Sequence, residues 1–167
     1  MEHAEKRRMQ EDMPDQLRIL VVGNNPIDLS RIFDTLKGDK MKDIITETAF
    51  DLKSVTERLS KFRPNYILID DNVGKAELKM TMGYLLSDRR TKEVPITVIK
   101  NSNYQEFIDM GILSYVLKDT ITIDSLYREL QNTFRLKRTQ RYVYEAYRKR
   151  KGQFMRLLKF NRDPVFR

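Results

Sequence analysis

The chain contains no cysteine and a single histidine, His3. Disulfides, thiolate zinc sites and a cysteine nucleophile are excluded. A histidine-based triad and a histidine-rich metal centre are excluded with them. No apolar run approaches the ~18 residues that a membrane span requires. Residues 1–16 form a polar, charged leader without the apolar stretch of a secretory signal, so the cytoplasm is the expected location. Acids are scarce near the C-terminus. Residues 131–167 hold twelve Lys and Arg against Glu145 and Asp163, a charge of +10, whereas the whole chain sums to +8. A near-neutral body of −2 therefore carries a basic tail.

With 167 residues, 40% of them hydrophobic, the chain has room for one ordinary domain and a short extension. The run LRILVV over residues 17–22, closed by Gly23-Asn24-Asn25-Pro26, reads as a buried strand ending in a turn. Further strands are expected over 44–50, 66–69, 94–99 and 112–117. Helical spacing appears over 28–37, 52–62 and 77–89, and from Ile123 onward, with at best a short helix over 104–110. Five alternations of strand and helix predict right-handed crossovers and a parallel sheet covered on both faces. The expected fold is a doubly wound, flavodoxin-like (βα)5 domain with strand order 2-1-3-4-5. Its ligand edge lies at the strand C-termini. Predicted boundaries are a polar leader over 1–16, the domain over 17–135 and a basic helical extension over 136–167.

The residues at that edge are Gly23 and Asn24 after the first strand and Asp70, Asp71 and Asn72 after the third. Lys100 follows the fourth and Lys118 the fifth. Gly23-Asn24-Asn25 lacks the repeated glycines of a phosphate loop, and its asparagines suit a turn. The segments LRILVVGNNP, RPNYILIDDN, SDRRTKEVPITVIK and MGILSYVLKD carry a clear likeness. Over roughly residues 17–135 the chain resembles the CheY-like receiver domains of bacterial response regulators. The resemblance puts Asp70 at the phospho-acceptor position and Lys118 at the phosphate-binding lysine. It puts Tyr115 at the switch aromatic and Asn72 where a backbone carbonyl helps to hold Mg²⁺.

The departures from that family are chemical. Gly23 and Asn24 stand where the family places two Mg²⁺-binding acids, and Mg²⁺ is held by carboxylates and water. Lys100 replaces the Ser or Thr that couples phosphorylation to the switch, and Asp119 replaces the proline after the lysine. The fourth helical segment, between Lys100 and Gly111, is about a turn short. These differences imply a degenerate pseudo-receiver without enzymatic activity, with Mg²⁺ bound weakly or not at all and no other cofactor. A carboxylate in a partly buried cleft needs a counter-charge. Lys100 and Lys118 are both placed to supply one to Asp70 and to lock the site in one state. Asp71 could supply some metal affinity, and that keeps a working phospho-acceptor at Asp70, served by a histidine kinase, as the alternative.

In the tail, Leu136, Val143, Tyr147, Phe154 and Leu158 recur at steps of 7, 4, 7 and 4. That is one apolar stripe on a helix, provided Gly152 does not break it. Arg138, Arg141, Tyr144, Arg148, Lys149, Arg150 and Lys151 surround it as candidate contact residues, together with Tyr147 itself. Three uses compete: docking of a protein, including self-association; nucleic-acid contact through phosphate neutralisation and aromatic stacking; and peripheral membrane contact through residues 149–160. The leading expectation is a two-component-type signalling or scaffolding module that binds a protein partner independently of phosphorylation.

Overall fold

The computed structural model describes residues 13–38, 43–101 and 114–160, with side chains described up to residue 156. The chain divides into two compact units, residues 1–134 and 135–167. In the first, β1 (Leu17–Val22), β2 (Ile44–Ala49), β3 (Tyr66–Asp70), β4 (Ile96–Lys100) and β5 (Tyr115–Leu117) form one sheet. Its order is β2-β1-β3-β4-β5 and every pairing is parallel, as the sequence predicts. The helices are α1 (Pro26–Leu36), α2 (Leu52–Lys61), α3 (Lys75–Ser87) and α4 (Ile123–Phe160). The expected short helix over 104–110, the shortened segment between Lys100 and Gly111 and the start of the fifth strand at 112–113 lie outside the described residues.

Strands β1 to β4 feed two cores, because successive side chains point to opposite faces. Leu20, Val22, Ile67 and Ile69 pack with Val55 and Leu59 of α2 and with Leu78 and Leu85 of α3. Ile19, Val21, Tyr66 and Leu68 pack on the other face with Ile32 and Leu36 of α1 and with Leu126 and Leu130 of α4. Burial on both faces accounts for the near-continuous apolar strands.

Local chemistry shifts several boundaries from their expected places. α1 begins at Pro26 because the Asn25 side chain caps it, accepting from the Ile27 N–H at 3.0 Å, and proline suits a first helical position. α3 starts at Lys75, just after Gly74, whose φ of 94° favours glycine. It stops where Asp88 accepts from the Arg90 backbone N–H at 2.8 Å, making a turn in place of another helical residue. β4 starts at Ile96 because Pro95 has no N–H to pair and the Val94 N–H closes a turn onto the Thr91 carbonyl at 2.9 Å. α4 runs without a break through Gly152, so glycine there does not end it.

A buried polar chain crosses one face of the sheet. The Tyr66 hydroxyl pairs with that of Thr97, which meets Ser114 Oγ at 2.7 Å. Ser114 Oγ donates to Glu129 Oε1 at 2.5 Å, and Thr133 Oγ1 donates to Ser114 Oγ at 2.9 Å. Residues of β3, β4 and α4 thus share one set of hydroxyl partners, and burial pushes the Tyr66 phenol up to about 12.

Candidate functional site

The register of the sheet assembles the site. Asp70 ends β3, level with Ile99 of β4, and Lys118 follows directly on β5 in a short 3-10 turn. Asp70 is wholly buried. Its Oδ1 and Oδ2 accept from Lys118 Nζ at 2.8 and 3.0 Å, and Oδ1 also accepts from the Asn72 N–H at 3.0 Å. Such charge-assisted bonds are about twice as strong as neutral ones. A carboxylate this deep requires them.

A second acid shares the same ammonium. Asp28, in the first turn of α1, accepts from Lys118 Nζ at 3.0 Å and from Asn72 Nδ2 at 2.6 Å, both at Oδ2. Sequence reasoning missed it, because an acid in a first helical turn looks like an ordinary helix-dipole partner. Burial alone would lower the Lys118 pKa, but its bonds and charge contacts with Asp70 and Asp28 outweigh that and raise it.

Asp71 turns to a different partner. Its Oδ2 accepts from the Asn101 N–H at 3.0 Å and its Oδ1 from Asn101 Nδ2 at 2.9 Å. Asn101 Nδ2 also donates to Asn72 Oδ1 at 2.5 Å. Asn101 was likewise missed. Asp71, Asn101, Asn72, Asp28, Lys118 and Asp70 therefore form one connected network along the strand ends.

Gly23 closes the other side. A Cβ there would lie 2.9 Å from Leu29 Cδ2 and 3.3 Å from Asp70 Cβ. Any side chain at this position, an acid included, requires the end of the buried Leu29 side chain to shift and crowds Asp70. Asn24 is exposed. Lys100 is almost fully buried, and its ammonium lies 4.4 Å from the centre of the half-exposed Tyr115 ring. Burial lowers the Lys100 pKa, against the opposing pull of Asp71. Lys118 bonds both oxygens of Asp70.

In the second unit, Arg138, Arg141, Tyr144, Tyr147, Arg148, Lys149, Arg150 and Lys151 are all exposed along α4. The Arg148 guanidinium sits 6.0 Å from the Tyr144 ring centre, one helical turn away.

Comparison with solved structures gives the architecture its parallel. The chemotaxis response regulator CheY4 of Vibrio cholerae is 20% identical, with a TM-score of 0.59 over 71% of this chain and 98% of that one. The chain has the receiver-domain fold. The receiver domain of the sensor histidine kinase PA1611 from Pseudomonas aeruginosa PAO1, with a magnesium ion coordinated in its active-site cleft, is 19% identical. Its TM-score is 0.61 over 71% of this chain and 98% of its own. A fusion that carries the trimeric coiled coil of yeast Spc42 is 18% identical, with a TM-score of 0.62 over 87% of this chain and 94% of that one. No family model and no curated protein matches the sequence. Among the described residues, no helix is long and apolar enough to cross a membrane.

Proposed function

We propose that this protein is a pseudo-receiver: a non-catalytic signalling module that binds a protein partner without being phosphorylated. The observation that carries the reading is that Gly23 and Asn24, not acids, follow β1 beside the wholly buried Asp70, whose two oxygens both accept from Lys118.

The donor chemistry supports this. Mg²⁺ takes near-octahedral oxygen ligands and relies on carboxylates. Here Gly23 and Asn24 stand after β1, both Asp70 oxygens accept from Lys118, and Asp71 is engaged by Asn101. The residues present do not fit the ion. The magnesium-bearing receiver from Pseudomonas aeruginosa shows that this fold can hold the metal in its cleft. The difference proposed for this chain therefore lies in side chains, not architecture.

One observation favours the alternative of a phospho-acceptor. Asp28 brings a carboxylate to the Lys118 ammonium at 3.0 Å, so an acid from α1 stands near Asp70. Incubation with acetyl phosphate and Mg²⁺, followed by intact mass and peptide mapping, separates the two. The pseudo-receiver stays unmodified. An adduct at Asp70 that the Asp70→Asn variant lacks would establish the alternative.

For the second unit, we assign the exposed stripe of α4 to protein contact, with nucleic-acid or membrane contact through its cations as the rival uses. The coiled-coil fusion among the similar structures is consistent with that assignment. Salt discriminates, because binding to phosphates weakens steeply as salt rises.

A further inference from the structure

The charge around the apolar stripe of α4 selects what can cover it. Leu136, Val143, Tyr147 and Phe154 are all exposed. At about 100° per residue, these four fall within about 40° of one another around the helix. That is the narrow seam of a helix–helix contact; a helix that sinks into a lipid boundary needs a much broader apolar face. Arg150 and Lys151 close the seam on its two sides, about 60° and about 40° from Tyr147.

Beside Lys151 the cations continue as a row. Lys137, Arg141, Tyr144, Arg148 and Lys151 follow one another at steps of 4, 3, 4 and 3, so they share one flank. Arg141, Arg148 and Lys151 are exposed and Lys137 is half-buried. The Arg148 guanidinium lies 6.0 Å from the Tyr144 ring centre, within that row. Arg135 and Arg150 stand on the other flank. Glu145, the one acid between residues 135 and 156, is on the back of the helix. Both flanks are therefore basic.

Flanking charges choose the partner of a paired helix. A second copy is rejected in either orientation. Parallel pairing sets Lys151 against Arg150, and antiparallel pairing sets the Lys137 row against the same row of the other copy. Phosphates would neutralise the flanks but leave the aliphatic Leu136 and Val143 in water. A helix whose apolar residues are flanked by acids meets both demands.

We infer that α4 docks an acidic amphipathic helix of another protein, with apolar residues on the seam and carboxylates along the Lys137 row. The inference rests on the protein-contact reading of α4 and names the chemistry of the partner; it is independent of the state of Asp70. The seam repeats every eleven residues, from Leu136 to Tyr147 and from Val143 to Phe154. Eleven residues in three turns is about 3.67 per turn, so a nearly straight partner helix can follow it. An exposed ion pair changes binding by about twofold. The four cations of the row then favour an acidic partner over a neutral one of the same shape by roughly tenfold.

The full chain is titrated at physiological salt against four labelled probes. The first is a helical peptide with leucines at steps of 7, 4 and 7 and glutamates on both flanks; the second is its twin with glutamine for every glutamate. The others are an oligouridylate RNA and vesicles of phosphatidylcholine and phosphatidylserine. The acidic peptide should bind tightest and the twin roughly tenfold more weakly. Phe154→Ser should weaken the acidic peptide by at least about tenfold, because a covered ring is lost. Arg148→Glu combined with Lys151→Glu should abolish the preference for glutamate over glutamine. Circular dichroism checks that each variant keeps its helix. Equal binding of the two peptides, or no binding of the acidic one at ~100 μM, would overturn this inference and leave the protein-contact reading standing. Tighter binding of RNA or vesicles, or indifference to Phe154→Ser, would overturn both. Self-pairing of the chain in sedimentation would overturn the inference in favour of a second copy.

Discussion

Substitution of Lys118 by Met asks how much of the first unit depends on one ammonium. Lys118 Nζ donates to Asp70 at 2.8 and 3.0 Å and to Asp28 at 3.0 Å. Methionine preserves the length and most of the volume of the stem but removes all three bonds. Asp70 is wholly buried and would keep the Asn72 N–H but lose its counter-charge. Breaking a buried pair from one side costs about 3–5 kcal/mol, a large share of the about 5–15 kcal/mol that a domain possesses. Urea unfolding of the full chain at pH 7, followed by far-ultraviolet circular dichroism, measures the loss. Combining Lys118→Met with Asp70→Asn removes both charges of the pair. The double variant should recover part of the loss, giving a coupling of at least about 1 kcal/mol in the cycle. A single-variant cost under about 1 kcal/mol, or strict additivity, would refute the claim that this pair organises the site.

Restoring an acid at Gly23 should not restore metal binding. Gly23→Asp is expected to cost about 1–3 kcal/mol by overpacking against Leu29, and calorimetry with Mg²⁺ should show no gain in affinity. Stability should also fall in alkali. The unfolded Tyr66 phenol ionises near its ordinary 10, whereas the folded one stays neutral up to about 12. Over that window the folded state holds more protons, so about 3 kcal/mol is lost as pH rises. Lys118 adds to the fall above its ordinary 10.5, since its pKa is raised. Tyr66→Phe should flatten the Tyr66 part, and denaturant titrations from pH 9 to 12 measure the change. Nothing lies within 4 Å of a Cβ built at Gly152. Gly152→Ala should therefore raise the helix content of the second unit, through a propensity gain of about 0.8–1 kcal/mol.

The sheet was legible because its strands are buried on both faces and read as apolar runs such as Leu17–Val22. Once the strand order is known, the meeting of Asp70 and Lys118 follows, since both sit just at or past strand C-termini. Asp28 could not be read that way. It reaches Lys118 across 90 residues of sequence, and only the packing of α1 brings it there. Element ends were missed where one residue decided them: the Asn25 cap moved a helix start and Pro95 delayed a strand. Gly23 was legible as a lost acid but not as a packing requirement, since the contact with Leu29 exists only in the folded chain.

A pseudo-receiver keeps Asp70 bonded to Lys118 and closed to phosphoryl chemistry. Fluorine NMR of the protein with Mg²⁺ and beryllofluoride, an acyl-phosphate mimic, tests it most directly. The account predicts only the resonances of free fluoroberyllate species, the same for the wild-type chain and for Asp70→Asn. A bound resonance that depends on Mg²⁺ and disappears in Asp70→Asn would contradict it.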